Sequence, residues 1–328
     1  MRLFGVIGTM VWDTIRRETP VGSQVEEWGG ISYALAAADA LTPPDFKVRP
    51  VIKLGRDLAE RGFRFLRGLA VVETDEAISV VDSPNPRVEL RYKGTERWCE
   101  RLQGGVSAWT WEELAPRVEG CDALYINFIT GYELELEVAQ QIRRNFSGPI
   151  YADIHSLMLA LGPRGERSLK PLKRWAEWLG CFDAVQLNED ELSFLSSHWG
   201  DPWAFAADVV GLETRLLFVT LGPAGAAYVM APGALPLAHA GSSLLEAPGP
   251  VSTGRLDVEP VADGDPTGCG DVWGMTAFHA AVSGPDVERA VRRANAAARA
   301  NVAHRGTSGL SSYLRGEIER AQEGTQGE

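Results

Sequence analysis

Late in the chain, the run Asp265-Pro266-Thr267-Gly268-Cys269-Gly270-Asp271 combines the residue types needed to hold a phosphate and to take up a proton. It leads directly into Val272-Trp273-Gly274-Met275-Thr276-Ala277-Phe278, a helical pattern. Glycines just before a helix let backbone amides converge without side-chain obstruction, and the helix N-terminus adds partial positive charge. The amides of Gly268, Cys269 and Gly270 would then form an anion hole, and Asp271 in the same first turn could accept a proton from a hydroxyl attacking a held phosphoryl group. A plainer reading is also open: Asp265-Pro266 begins a turn and Asp271 complements the helix dipole.

Three further segments could serve the same chemistry. Asn188-Glu189-Asp190-Glu191 follows the apolar strand pattern of residues 184–187. Asn188 as N-cap with Glu191 three residues on is a capping box, and the same carboxylates at a strand's carboxyl end could hold hydrated magnesium, with Glu191 the candidate. Val219-Thr220-Leu221-Gly222-Pro223-Ala224-Gly225 ends a strand with glycines that would admit a flat nucleotide beside Thr220, Gly222 and Gly225, or simply form a tight turn. Trp28-Gly29-Gly30-Ile31-Ser32-Tyr33 opens an apolar stretch where Gly29 and Gly30 could admit a substrate beside Tyr33, or start a helix.

In this order and spacing the four segments resemble the ribokinase-like, phosphofructokinase B type family of sugar and nucleoside kinases over nearly the whole chain. The C-terminal signature, an aspartate followed by Thr-Gly-Ala-Gly-Asp, stands here as Asp265 to Asp271 with Cys269 in the alanine place. Gly5, Gly8 and Asp13 match a glycine-containing strand that runs into a substrate-binding aspartate, Gly55-Arg56-Asp57 is similar to the Gly-Asp-Asp turn, and Asn188 to Glu191 matches Asn-x-x-Glu. Ala294-Asn295-Ala296-Ala297 resembles the helix beside the adenine. The resemblance implies a doubly wound, mostly parallel α/β sheet with a small β lid that could support a homodimer. It implies ATP as donor, magnesium held largely through water by Glu191, a monovalent cation as a further candidate, and Asp265, Thr267, Asn188 and Asn295 on the donor side. Asp13, Gly29, Gly30 and Tyr33 fall on the acceptor side. Two positions depart from the pattern: Ala34 stands where an asparagine often contacts substrate hydroxyls, and His155 in Asp153-Ile154-His155 replaces an asparagine. With Ala34 in the acceptor pocket, ribose would be a poor acceptor and an inositol or nucleoside a better one.

The elements that must position these residues follow from periodicity. From about Asp122 onward, short apolar runs at 123–128, 149–154, 184–187 and 216–221 alternate with helical patterns at 133–145 and 188–197, the signature of crossover units in a parallel sheet buried on both faces. Helices over 268–283 and 285–303 close the chain, and the tail after Arg315 reads as fraying. Residues 3–12 read as a buried first strand. Between 77 and 98, Val88, Leu90 and Tyr92 alternate with Glu89, Arg91 and Lys93, the two-residue period of a half-exposed strand. Residues 77–81 and 87–93 are therefore expected to form a hairpin around Ser83-Pro84-Asn85-Pro86, joined by a strand within 14–28, as a lid or an ordinary edge hairpin. The expected division is a core of 1–12, 29–70 and 100–328, with a lid of 13–28 and 71–99.

Bulk properties exclude several classes. Over 328 residues, 45% hydrophobic and 23% charged content is an ordinary globular balance, and a net charge of -12 without clustered Lys and Arg argues against nucleic acid. No apolar run approaches the roughly 20 residues that span a bilayer. Cys99, Cys121, Cys181 and Cys269 form no Cys-x-x-Cys pair, so neither zinc nor redox chemistry is suggested and a reduced cytoplasm is expected. Cys269 is either a thiol activated by the helix terminus or an inert packed residue. The five histidines, His155, His198, His239, His279 and His304, are read as surface or core residues. Neither the dinucleotide fingerprint nor a Gly-Lys-Ser/Thr phosphate loop occurs. The expectation is an ATP-dependent kinase acting on a hydroxyl of a small sugar, polyol or nucleoside; a catalytically silent sensor or assembly protein on the same fold is the competing class.

Overall fold

The computed structural model describes residues 2–17, 23–41, 43, 46–74, 77–93, 96–237, 249–262 and 264–325. Its centre is a nine-stranded sheet. In chain order the first half contributes β1 (Arg2–Ile7), the lid strands β2 (Met10–Arg17) and β3 (Ser23–Gly30), α1 (Ile31–Leu41), β4 (Phe46–Gly55), α2 (Ala59–Arg67) and β5 (Ile78–Val81). Lid strands β6 (Arg87–Lys93) and β7 (Glu96–Gln103) follow, then α3 (Trp111–Val118), β8 (Ala123–Asn127), α4 (Leu136–Asn145), β9 (Ile150–Asp153) and a short hairpin, β10 (Leu159–Leu161) and β11 (Arg167–Leu169). The second half adds α5 (Trp175–Leu179), β12 (Ala184–Asn188), α6 (Glu189–Leu195), α7 (Pro202–Val209), β13 (Leu216–Thr220), β14 (Ala226–Met230) and β15 (Ser252–Leu256). Helices α8 (Cys269–Ser283), α9 (Val287–Ala303) and α10 (Leu310–Thr325) complete it.

The sheet order is β15-β14-β13-β12-β9-β8-β1-β4-β5, with parallel pairing throughout except on the two sides of β14, which alone runs against the rest. Strand residues alternate between two separate cores, as a sheet covered on both faces requires. Phe4, Val6, Tyr125, Tyr151 and Phe218 pack on the side of α1, α8 and α9, and Ile7, Leu124, Ile126, Ala152 and Val185 on the side of α3, α4 and α7. Register then places the polar residues that end four adjacent strands along one edge: Asn127 pairs with Asp153, and Asn188 with Thr220. Ligands of open α/β sheets bind outside these carboxyl ends.

The lid differs from its expected form. Its four strands run β3-β2-β6-β7, with β2 and β6 parallel, and residues 78–81 are not a hairpin arm of it. They pair parallel with β4 as the last strand of the main sheet. The physical reason lies in the connection: Asn85, fully buried, accepts from the Gly55 amide (3.0 Å) and donates to the Met10 carbonyl (2.9 Å), while Asp57 accepts from the Asn85 amide (2.8 Å) and pairs with Arg87 (2.9 Å). Those bonds steer the chain from one sheet into the other. The first apolar run is likewise two strands, β1 in the core and β2 in the lid. Helix α10 extends well past Arg315, where fraying was expected. One lid face buries Val11, Ile15, Val88, Leu90, Tyr92 and Leu102, and the other carries the ion pairs of Arg16 and Arg91 with Glu89.

Candidate active site

Helix α8 begins at Gly268, which is its N-cap in the left-handed region (φ 74°). A Cβ there would lie 2.2 Å from the Tyr33 ring, so both backbone and packing demand glycine. The turn ahead of it is held by Asp265, whose Oδ1 accepts from the Thr267 amide (3.0 Å) and hydroxyl (2.6 Å), while the Asp265 amide donates to the Val302 carbonyl (2.8 Å). Asn301 donates to the Thr267 carbonyl (2.9 Å). The local turn chemistry and the anchor to α9 thus fix where the helix starts.

Two clefts meet at that start. One, about 430 Å³, is lined by Thr220, Gly222, Gly225, Pro260, Cys269, Gly270, Trp273, Asn295 and Val302 among others. The other, about 110 Å³, lies between lid and sheet. The lid gives it Val11, Asp13, Gly30, Val88, Leu90 and Glu100, and the body gives Tyr33, Asn127, Ile129, Asp153, His155, Arg167, Thr267, Gly268 and Asp271. Consecutive residues therefore face opposite ways: Gly268 and Asp271 border the lid cleft, Cys269 and Gly270 the larger one.

Asn127, at the end of β8, donates to Asp271 Oδ1 (2.7 Å) and so orients that carboxylate. Asp153 is its register partner on β9. Burial pushes the Asp153 carboxyl up to about 7; His155 pulls it down, and the Asp271 and Glu191 carboxylates push it up. The Asp153 Oδ1 accepts the His155 amide (3.1 Å). Gly29 leaves room for Asp13, since a Cβ on Gly29 would sit 1.8 Å from Asp13 Oδ2. Tyr33 is buried with no hydrogen-bond partner for its hydroxyl among the described residues, and burial, then the Asp13 and Glu27 charges, raise its pKa well above the ordinary phenol value. Arg167, buried, pairs with lid Glu100 (2.9 Å) and donates to the carbonyls of Ile129 (2.9 Å) and Thr130 (3.1 Å).

The other candidates divide between the plainer places read from the sequence and unexpected ones. Asn188 and Glu191 form the reciprocal capping box of α6, with Glu191 buried and its carboxylate also in contact with His155 Nδ1. His155 is thus neither a core residue nor an idle surface one. Asn295 borders the larger cleft, but its amide is committed at both ends, accepting from Trp273 Nε1 (2.8 Å) and donating to the Leu256 carbonyl (3.0 Å). Asp265 holds its turn, and Thr267 borders the lid cleft and not the larger one. Ala34 is fully buried in the core behind Tyr33 and does not line the lid cleft, so the expectation that it faces an acceptor hydroxyl does not hold. The activated-thiol reading of Cys269 is also corrected: burial pushes it up to about 12, the Asn301 hydrogen bond pulls it down, and the charges of Asp265 and Asp271 push it up. His239 lies outside the described residues. Among those described, no three His, Cys, Asp or Glu side chains are arranged to hold a metal directly, and no helix is long and apolar enough to cross a membrane.

Asn127, Glu100 and Arg167 were not singled out by sequence, and Asp153 entered only as part of the motif Asp153-Ile154-His155, with no role of its own. Asn127 and Asp153 end apolar strands with a polar residue, which is a readable signal; Glu100 and Arg167 meet only through tertiary structure.

Comparisons with known proteins bear on the fold and the family. Residues 161–312 match the family model described as pfkB family carbohydrate kinase. No curated protein sequence matches the chain. A pyrophosphate-dependent kinase in the ribokinase family, solved with a pyrophosphate analogue and myo-inositol, is similar over 97% of this chain and 99% of its own, with TM-score 0.73 and 16% identity. Burkholderia thailandensis nucleoside kinase with inosine is similar over 99% and 98%, with TM-score 0.71 and 16% identity. Arabidopsis thaliana ribokinase with ribose and ATP is similar over 96% and 98%, with TM-score 0.65 and 18% identity. At such identities the likeness is one of fold.

Proposed function

We propose that the chain is a kinase of the ribokinase-like, pfkB family and that it transfers the terminal phosphoryl group of ATP to a hydroxyl of a neutral, single-ring polyol of cyclitol or sugar size, with Asp271 as general base. One observation carries this reading: the first turn of α8 is the shared wall of two clefts, with Asp271 on the acceptor side and the Cys269 and Gly270 amides on the other. A hydroxyl in the lid cleft would lose its proton to Asp271 as it attacks a phosphoryl group held by those amides and by the positive end of the helix. Asn127 holds one Asp271 oxygen and so presents the carboxylate in a fixed orientation. The lid over the cleft keeps water from competing as acceptor.

Charge and size favour the acceptor class. The cleft is bordered by four carboxylates, Asp13, Glu100, Asp153 and Asp271, against the single guanidinium of Arg167, which is already paired with Glu100. Carboxylates accept hydrogen bonds from hydroxyls and repel a phosphorylated sugar. The apolar part of the lining, Val11, Val88, Leu90 and Tyr33, suits the apolar face of a ring. On the donor side, Val258, Pro260, Val261, Ala298 and Val302 offer a flat apolar slot, and the one arginine, Arg299, pairs with Glu259 (3.4 Å). That lining suits a nucleoside better than bare pyrophosphate. Glu191, with Asp153 and Asp271 nearby, fits a hydrated magnesium ion held through its waters; the ion would neutralise charge on the phosphoryl oxygens.

The test is product formation with ATP or pyrophosphate as donor against myo-inositol, ribose, cytidine, adenosine and fructose 6-phosphate. The expected pattern is ATP-dependent turnover of a neutral single-ring polyol and none of fructose 6-phosphate. Turnover confined to a sugar phosphate would refute the acceptor class, and turnover with pyrophosphate alone would refute the donor.

A further inference from the structure

The lid touches the phosphate-binding turn directly. Tyr92 on β6 is almost fully buried, and its hydroxyl lies 3.0 Å from the Thr267 hydroxyl, one residue before the N-cap of α8. The Thr267 hydroxyl donates to Asp265 Oδ1 (2.6 Å), which leaves its oxygen to accept from the phenol. The result is a donor chain from Tyr92 through Thr267 to Asp265, across 175 residues of sequence, joining the strand that covers the acceptor cleft to the turn that aims the Gly268–Gly270 amides. Thr267 itself borders the acceptor cleft, and Cys269 and Gly270 border the donor cleft.

We propose that Tyr92 is a positioning residue that couples the lid to the anion hole, so that occupancy of the donor cleft closes the lid over the acceptor cleft. The inference rests on the proposed kinase reading. A donor phosphate on the Cys269 and Gly270 amides fixes the turn that begins at Asp265. A fixed turn presents the Thr267 oxygen to Tyr92 at constant distance, which holds β6 down. Because binding linkage is reciprocal, a closed lid must strengthen donor binding by the same factor. One neutral hydrogen bond of ordinary strength sets that factor at about fivefold.

Tyr92 is not the only tie between lid and body, so its loss should not release the lid outright. The Thr307 amide donates to Glu27 on β3 (2.8 Å) and the Thr307 hydroxyl to the Trp28 carbonyl (2.8 Å). Tyr92→Phe keeps the ring that packs with Val88, Leu90 and Leu102 and removes only the hydroxyl.

The experiment is amide hydrogen exchange of the full chain, with and without saturating β,γ-imido-ATP and magnesium, alongside calorimetric titration of the same analogue. In the wild-type protein the analogue should slow exchange in residues 87–93 as well as in 265–271. In Tyr92→Phe the 265–271 protection should persist, the lid protection should vanish, and affinity for the analogue should fall about fivefold. A purely structural tyrosine would lower lid protection equally with and without analogue, and that outcome overturns the proposal. So does a wild-type lid that does not respond to bound analogue. Absence of any binding heat in the wild-type protein would be a different failure, refuting the ATP-donor reading beneath the proposal. Thr267→Val provides a second cut through the same chain: it removes the oxygen that Tyr92 addresses and should likewise abolish the lid response.

Discussion

Asp153 is a buried carboxyl between other carboxylates, and replacing it tests the electrostatics of the site without needing a substrate. Its folded value of about 7 stands above the ordinary 3.8, and burial is the largest cause. An acid whose pKa is raised on folding binds its proton more tightly in the native state. That contribution is complete below about pH 4 and is lost as pH rises through about 7. At about 1.4 kcal/mol per pH unit, the rise sets a ceiling of about 4 kcal/mol on the loss. Water entry and side-chain relaxation reduce it, so ~1–3 kcal/mol is the expected size. Asp153→Asn keeps an oxygen for the His155 amide (3.1 Å) and removes the titration. The variant should match the wild type at pH 4.5 and exceed it in stability at pH 8. Urea unfolding at pH 4.5, 6 and 8, with unchanged m-values, gives the difference directly. A wild-type minus variant difference that is flat with pH, or that grows in favour of the wild type at pH 8, would refute the assignment of Asp153 as a desolvated acid.

Gly29→Ala should lower kcat/KM at least tenfold and destabilise the fold by ~1–3 kcal/mol, because the added methyl displaces the Asp13 carboxylate; steady-state kinetics and urea unfolding check it, and wild-type kinetics would remove Asp13 from the acceptor site. Cys269 should alkylate more slowly at pH 8 than Cys99, since burial holds its thiol protonated; peptide mapping after timed iodoacetamide exposure decides, and Cys269 reacting first would contradict the structure.

What the sequence disclosed was mainly local. The start of α8, the Asn188–Glu191 capping box and the parallel core strands each rest on residues a few positions apart, whose turn chemistry or alternation does not depend on distant partners. Strand pairing is not local. Residues 78–81 form a short apolar run that suits a strand of either sheet, and the buried Asn85 bridge sends them to β4 while β6 goes to β2. The same limit hid the Glu100–Arg167 pair, whose members lie 67 residues apart, and the double commitment of the Asn295 amide. Cys269 was ambiguous for another reason. Proximity to a helix N-terminus is visible in sequence, whereas the carbonyls of Asp265 and Ala298 and the amide of Asn301 that enclose its sulfur are not.

The central claim is that Asp271 takes the acceptor's proton, and single-turnover phosphoryl transfer by Asp271→Asn, with nucleotide affinity measured on the same sample, tests it most directly. Asn127 donates to Asp271 Oδ1 (2.7 Å), and a nearly isosteric amide can keep an oxygen there, so binding of β,γ-imido-ATP should stay within about threefold of wild type. Transfer from ATP to the acceptor that the wild type prefers should slow by about 10²–10⁴-fold, the range a positioned base supplies. Transfer at near wild-type rate with nucleotide binding intact would contradict the account.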